Sequence, residues 1–145
     1  MKTLITFIIF SLGIFSIQAQ DWQTDLQTAK NLAQKENKPI ILVFSGSDWC
    51  APCIKLDKKI WQSEDFKAYA KDHYVMLRAD FPRRKKNRLP EAQQAKNEKL
   101  AETYNPNGNF PLVVVLNAKG EVLGTTGYKR RLTPNAYIKL LNSFL

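Results

Sequence analysis

Cysteine is scarce in this 145-residue chain: it occurs at Cys50 and Cys53 and nowhere else. Histidine occurs once, at His73, so the four-ligand sets of structural zinc sites cannot be assembled from Cys and His. Acidic residues are in deficit, 13 against 22 Lys and Arg, which leaves a net charge of +9. Such a basic surface favours acidic partners or anionic membranes, but says nothing about fold. Repeats, low-complexity tracts and linkers are also missing from residues 20–145. That length suits one domain around one core.

What is present begins with "MKTLITFIIFSLGIFSIQAQ". Lys2 precedes an apolar run from Leu4 to Ile17, and the small Ala19 follows, the order of a secretory signal peptide. The run is shorter than the ~20 apolar residues of a membrane-spanning helix. We therefore expect residues 1–19 to be a signal peptide cleaved near Ala19, with an uncleaved anchor as the alternative. No cysteine at the cleavage site invites lipidation, so residues 20–145 are expected to be periplasmic or secreted. There disulfides persist.

Leu26, Ala29, Leu32 and Ala33 recur at helical spacing and predict an amphipathic helix over 22–36. "PIILVFS" reads as a strand buried on both faces. Residues 51–61 read as helix, and Ser63 caps a second helical stretch to about Lys71. "HYVMLRAD", headed by His73, alternates as a strand; Pro90 opens a helix over "EAQQAKNEKLAETY" as its first residue. "FPLVVVLNAKGEVLGTTGY" predicts a hairpin turning at Ala118–Gly120, and Thr133 caps a closing helix with Pro134 in its first turn. The order α-β-α-β-α-β-β-α predicts an α/β fold, a mixed central sheet with helices on both faces. Cys50 falls just past the first strong strand, where open α/β sheets gather their ligands.

Three uses for the cysteine pair compete. As a staple, a loop of four residues would remove only about 1.9 kcal/mol of unfolded-state entropy, against ~4.7 for a hundred residues. As a metal clip, the pair would need a further ligand, and a copper site using His73 would require that strand end to approach the turn. The redox use draws on every feature. A helix starting near Cys50 would hold the two Cα atoms roughly 5 Å apart, within disulfide range. A thiolate at a helix N-terminus is stabilised by unpaired N–H groups and the dipole. Cys50 is thus the expected exposed nucleophile, and Cys53, buried one turn on, the resolving thiol. Trp49 would supply an apolar lip or simply fill the core.

"PIILVFSGSDWCAPC" resembles the strand and active-site segment of the thioredoxin family, whose signature is Trp-Cys-x-x-Cys, often with proline before the second cysteine. It is similar to exported bacterial thioredoxin-like proteins and to the C-terminal domain of the membrane disulfide interchange reductase. "GNFPLVVVLNAKGEVLGTTGY" matches the family's second half, so the likeness spans nearly all of 20–145. The resemblance implies a thioredoxin-like fold and a protein-disulfide reductase or isomerase, a monomer serving cell redox homeostasis in the periplasm. Its redox-active centre is the Cys50–Cys53 disulfide, with no other cofactor. Protein disulfides would be its substrates, and a membrane-borne thiol reductant its electron source. Pro111 would be the family's cis-proline, facing the disulfide and leaving the Phe110 backbone free to pair with a substrate strand. Gly127 and Tyr128 would form the groove's other wall. Two positions depart from the pattern: Phe44 stands where thioredoxin carries a buried aspartate, and Phe110 is bulky where smaller residues are common.

The same resemblance fits a binding or scaffold module in envelope biogenesis, and the two thiols alone fit a metal carrier. "RRKKNR" at 83–88 and "KRR" at 129–131 lack the interleaved aromatics of a base-stacking platform, so nucleic acid is not expected. Residues 83–88 read first as a solvated loop, and second as a dock for an acidic partner or anionic membrane.

Overall fold

The computed structural model describes residues 20–145; the expected signal peptide, 1–19, lies outside the described residues. The elements in order are β1 (Trp22–Gln23), α1 (Leu26–Glu36), β2 (Ile40–Ser45), α2 (Ala51–Leu56) running into a π turn (Asp57–Trp61), α3 (Glu64–His73) and β3 (Val75–Asp80). A short 3-10 turn (Lys85–Asn87), α4 (Glu91–Tyr104), β4 (Leu112–Leu116), β5 (Val122–Thr126) and α5 (Pro134–Asn142) complete the chain.

One sheet of order β1-β3-β2-β4-β5 organises them. β2 lies at its centre, parallel to β3 and antiparallel to β4, and β4–β5 form the expected hairpin. Residues Ile40 to Phe44 are at most 2% exposed, which is what a continuous apolar run in a doubly covered strand requires. Alternate side chains serve opposite layers. Ile41 and Val43 pack with Leu56, Ile60, Trp61, Phe66, Tyr137 and Leu141 of α2, the π turn, α3 and α5. Ile40, Leu42 and Phe44 pack with Ala29, Ala33 and Leu100 of α1 and α4. Helices therefore cover both faces. The predicted helix over 51–61 is one helical segment, and its π turn lets the consecutive Ile60 and Trp61 both face the core.

Local chemistry moves three boundaries. Trp22 and Gln23 are an edge strand paired with Met76 and Leu77 of β3, not the start of a helix. α1 begins only at Leu26 because Asp25, in extended conformation, caps it by accepting from Thr28 N–H at 2.9 Å. Pro90 stands outside α4 as its cap residue, with ψ 144°, so Glu91 is the first helical residue. His73 closes α3 rather than heading a strand, and its ring stacks on Tyr69 with centroids 4.0 Å apart. It lies by the start of β3, which pairs with the start of β2, whereas Cys50 follows the end of β2. Six strand residues, roughly 20 Å, separate the two ends of the sheet. That distance removes the copper clip built on His73.

The Asp25 cap yields a pH-dependent prediction. The Lys96 ammonium at 2.9 Å, then the Thr28 N–H, lower its carboxyl to about 2. A depressed folded-state pKa contributes stability above the unfolded value near 3.9 and loses it as pH falls towards 2. Asp25→Ala is expected to cost about 1 kcal/mol at pH 7. In urea unfolding the gap to the unmodified protein should shrink between pH 4 and pH 2; a gap independent of pH would refute this account.

Candidate active site

Four segments converge at one end of the sheet. β2 and β3 both finish there, Ser45 beside Asp80, and β4 starts there, Leu112 opposite Phe44. β5 ends there too, since Thr126 pairs with Val113. The turn 46–50, the loop 81–90, the Phe110–Pro111 bond and Gly127–Tyr128 are consequently neighbours.

The turn is closed by Trp49 N–H and Cys50 N–H, both donating to the Gly46 carbonyl at 3.3 and 2.9 Å. Cys50 is the N-cap of α2 and Pro52 lies in its first turn, where its missing N–H costs nothing. Cys50 and Cys53 are joined by a disulfide with Cα atoms 5.2 Å apart, as helical geometry predicts. The Cys53 N–H donates to the Cys50 sulfur at 3.3 Å. This is the unpaired helix-end donor that would stabilise a Cys50 thiolate. One expectation fails in this oxidised state: Cys50 is as covered as Cys53, 4% and 3% exposed. As a cap rather than a first-turn residue, Cys50 folds its side chain back over the helix end. Ala51 and Pro52 form the exposed rim.

Trp49 is more than a lip or core filler. Its indole N–H donates to the Phe81 carbonyl at 2.7 Å, and its ring meets Phe110 edge-on at 5.4 Å. The Arg83 guanidinium lies 3.7 Å over its face. Phe110 also contacts Phe81 at 5.5 Å, so three aromatic rings join the turn, the loop and the β4 approach. The loop is further tied to the turn by Asp80, which accepts from Ser47 N–H and Oγ at 2.9 and 2.6 Å. Asp48 reaches the other way, accepting from the backbone N–H groups of Arg83 and Arg84 and from Asn87 Nδ2 at 2.9–3.0 Å. These bonds, led by that from Arg83, hold its carboxyl below the usual range. The reading of 83–88 as a merely solvated loop is therefore incomplete: its side chains are exposed, but its backbone is fastened to the cysteine turn.

The Phe110–Pro111 bond is cis. Among the described residues, the Phe110 N–H and carbonyl enter no hydrogen bond, leaving a short free strand edge. Buried Asn105 fixes the preceding turn through paired bonds with the Asn109 backbone, both 2.9 Å. Gly127 lies against this segment, since a Cβ there would sit 3.2 Å from the Pro111 carbonyl oxygen. Its own carbonyl accepts from the Tyr137 hydroxyl at 2.8 Å. Tyr128 packs, half-buried, against the α2–α3–α5 core layer.

The thioredoxin-like family model matches residues 21–118 of this sequence. The chain belongs to the thioredoxin-like family. Disulfide bond reductase DsbH of Chlamydia pneumoniae is 39% identical over 108 residues, 74% of this chain. The chain spans 63% of that relative's length. A solved structure described as DsbH oxidoreductase superposes with TM-score 0.80 at 32% identity, over 97% of this chain and 94% of its own. The oxidised DsbD C-terminal domain of Neisseria meningitidis shares the fold, with TM-score 0.55 at 16% identity, over 81% and 90% of the two chains.

Against that family's pattern, Phe44 is fully buried on the α1–α4 side of the sheet, so no carboxylate occupies the aspartate position. The two acidic residues flanking the motif are both engaged elsewhere. Asp48 holds the loop, and Asp57 accepts from Arg78 Nη2 at 2.9 Å and from Gln62. Sequence reasoning missed Gly46, Ser47, Asp80, Phe81 and Asn105, and it read Arg83 and Asn87 only as part of a solvated loop or a dock. "GSD" and "NPNGN" signal turns, but a turn signal does not name the strand end or loop that its side chains will bind.

Proposed function

We propose that this protein is an exported thiol–disulfide oxidoreductase that reduces or isomerises protein disulfides. One observation carries the reading: the Cys50–Cys53 disulfide heads a helix whose Cys53 N–H points at the Cys50 sulfur. In the reduced protein the Cys50 thiolate attacks one sulfur of a substrate disulfide, forming a mixed disulfide and releasing the other sulfur as a thiolate. The Cys53 thiolate then attacks the Cys50 sulfur and frees the second substrate thiol. Two electrons pass to the substrate, and the Cys50–Cys53 bond is left. Rearrangement from the mixed disulfide without this second step is isomerisation. The free Phe110 edge pairs with the backbone of the substrate, and Pro111, Gly127 and Tyr128 flank it. A membrane-borne thiol reductant restores the thiols. The relative named as a disulfide bond reductase supports reduction, and the Dsb names of the relatives support the periplasm.

The direction of electron flow has a physical basis. Ala51 and Pro52, between the cysteines, bring neither charge nor side-chain hydrogen bonds to the thiolate, and Asp48 is held ionised nearby. Less thiolate stabilisation means a more reducing pair. Equilibration with glutathione buffers should give a potential of roughly −200 to −270 mV, between glutaredoxin and thioredoxin values. A potential near −120 mV, with efficient oxidation of a reduced unfolded substrate, would make the protein an oxidase.

A further inference from the structure

The loop 83–88 places Arg83, Arg84, Lys85, Lys86 and Arg88 in six consecutive exposed residues. Among the described residues, none of the five forms an ion pair. Like charges crowded this closely repel one another, and apart from Arg83, which stacks on Trp49, the packing of the domain does not use them: all are exposed, and the core clusters contain none. The loop nevertheless does not drift from the redox turn. Asp48 grips its backbone at two N–H groups, Asp80 grips the turn, and Arg83 rests on Trp49. Arg83 and Arg88 line a cleft together with Asp80, Glu91 and Glu98, so these two cations share it with carboxylates. Arg84 lies in the field of the Asp48 carboxylate, and Lys85 and Lys86 have no carboxylate partner among the described residues. Lys85 is two residues from Arg83, at most about 7 Å of chain, inside the ~10 Å screening length of 0.1 M salt.

We propose that Arg84, Lys85 and Lys86 form a specificity surface for acidic polypeptide segments beside the disulfide to be exchanged. The inference rests on the reading of Cys50–Cys53 as the exchange site and adds the class of substrate. A substrate cysteine brought to Cys50 along the Phe110 edge carries its flanking residues past Trp49, and so past this loop. Asp and Glu there meet unpaired cations, while Lys and Arg meet repulsion. Attraction of this kind acts mainly on encounter, so it raises kcat/KM and is erased by salt.

The test uses disulfide-linked dimers of one short peptide whose cysteine is flanked by Asp and Glu, by Ser and Gln, or by Lys and Arg. At low salt the acidic peptide should be reduced about tenfold more efficiently than the neutral one, and the difference should vanish at 1 M salt. The Arg84→Ser/Lys85→Ser/Lys86→Ser variant should lose the preference and keep its rate on the neutral peptide. Lys85→Glu/Lys86→Glu should reverse the preference, a result that loss of packing cannot produce. Equal rates on all three peptides, or a preference unchanged in both variants, would overturn the proposal. So would variant-sensitive binding to phosphatidylserine vesicles without any peptide preference, which would make a membrane the occupant. Should no peptide be reduced, the exchange reading fails separately. Anisotropy of a labelled acidic peptide with Ser in place of Cys still decides the surface: it should bind, and lose that binding in the triple variant.

Discussion

Cys50→Ser is expected to reduce disulfide exchange to background, and Cys53→Ser to stop it at a covalent intermediate. The two outcomes differ because the sulfurs occupy different positions on one helix. Cys50 is the cap, where its sulfur receives the Cys53 N–H. Cys53 lies inside the first turn, behind the exposed Ala51 and Pro52. Without Cys50 no sulfur sits at the helix end to attack a substrate. Without Cys53 the attack still occurs, but no thiol of this protein displaces the substrate from Cys50, so a mixed disulfide with a substrate that has a single disulfide accumulates on a non-reducing gel. In the reduced protein, iodoacetamide should label Cys50 far faster than Cys53, since the thiolate is the reactive form and the helix end stabilises it. Both residues are covered in the disulfide form, so the test also asks whether reduction uncovers Cys50. Equal labelling of both thiols, or full net reduction of a substrate disulfide by the Cys53→Ser protein, would remove the assigned roles.

Gly46→Ala should damage the site without touching a cysteine. A Cβ at Gly46 would lie 2.3 Å from Trp49 Cε2 and 2.6 Å from Nε1, well inside contact distance. Trp49 cannot simply swing away, because it donates to Phe81, meets Phe110 and carries Arg83 on its face. The turn or the ring must move, at an overpacking cost of about 1–3 kcal/mol. Either movement misplaces the segment that presents Cys50, and exchange on a neutral peptide should fall about tenfold. Trp49→Ala removes the obstruction, so Gly46→Ala introduced into that background should cost almost nothing further. The coupling between the two changes is the measurement. Additive losses of stability would show that Gly46 matters for a reason other than the indole.

The parts of this molecule that could be read in the chain are those governed by near neighbours. "PIILVFS" is apolar without interruption, and a doubly covered strand is the structure that buries every residue of such a run. Ser63 and Thr133 each accept the expected N–H of a helical first turn, from Phe66 and Ala136, because capping joins residues three apart. Cys50 and Cys53 can meet for the same reason. Of the boundaries that moved, the start of α1 needed a partner from elsewhere, and those at Pro90 and His73 are local. Trp22 obeys helical spacing with Leu26, but strand pairing with Met76 outweighs a weak local preference. His73 sits beside a strand in sequence, but the last turn of α3 holds it.

The surroundings of the disulfide were not legible in the same way. Asp48 binds backbone 35 and 36 residues away, Ser47 binds Asp80, and Arg83 covers Trp49. Those contacts exist because β2 and β3 are parallel neighbours, so that the segments leaving Ser45 and Asp80 emerge side by side. A turn-forming Asp or a run of cations looks the same in sequence whether it faces water or a neighbouring loop. Spacing along the chain sets which side chains share a helix face or strand face. Which strand end lies beside which is settled by packing the sheet between its helices, through contacts that no local pattern encodes.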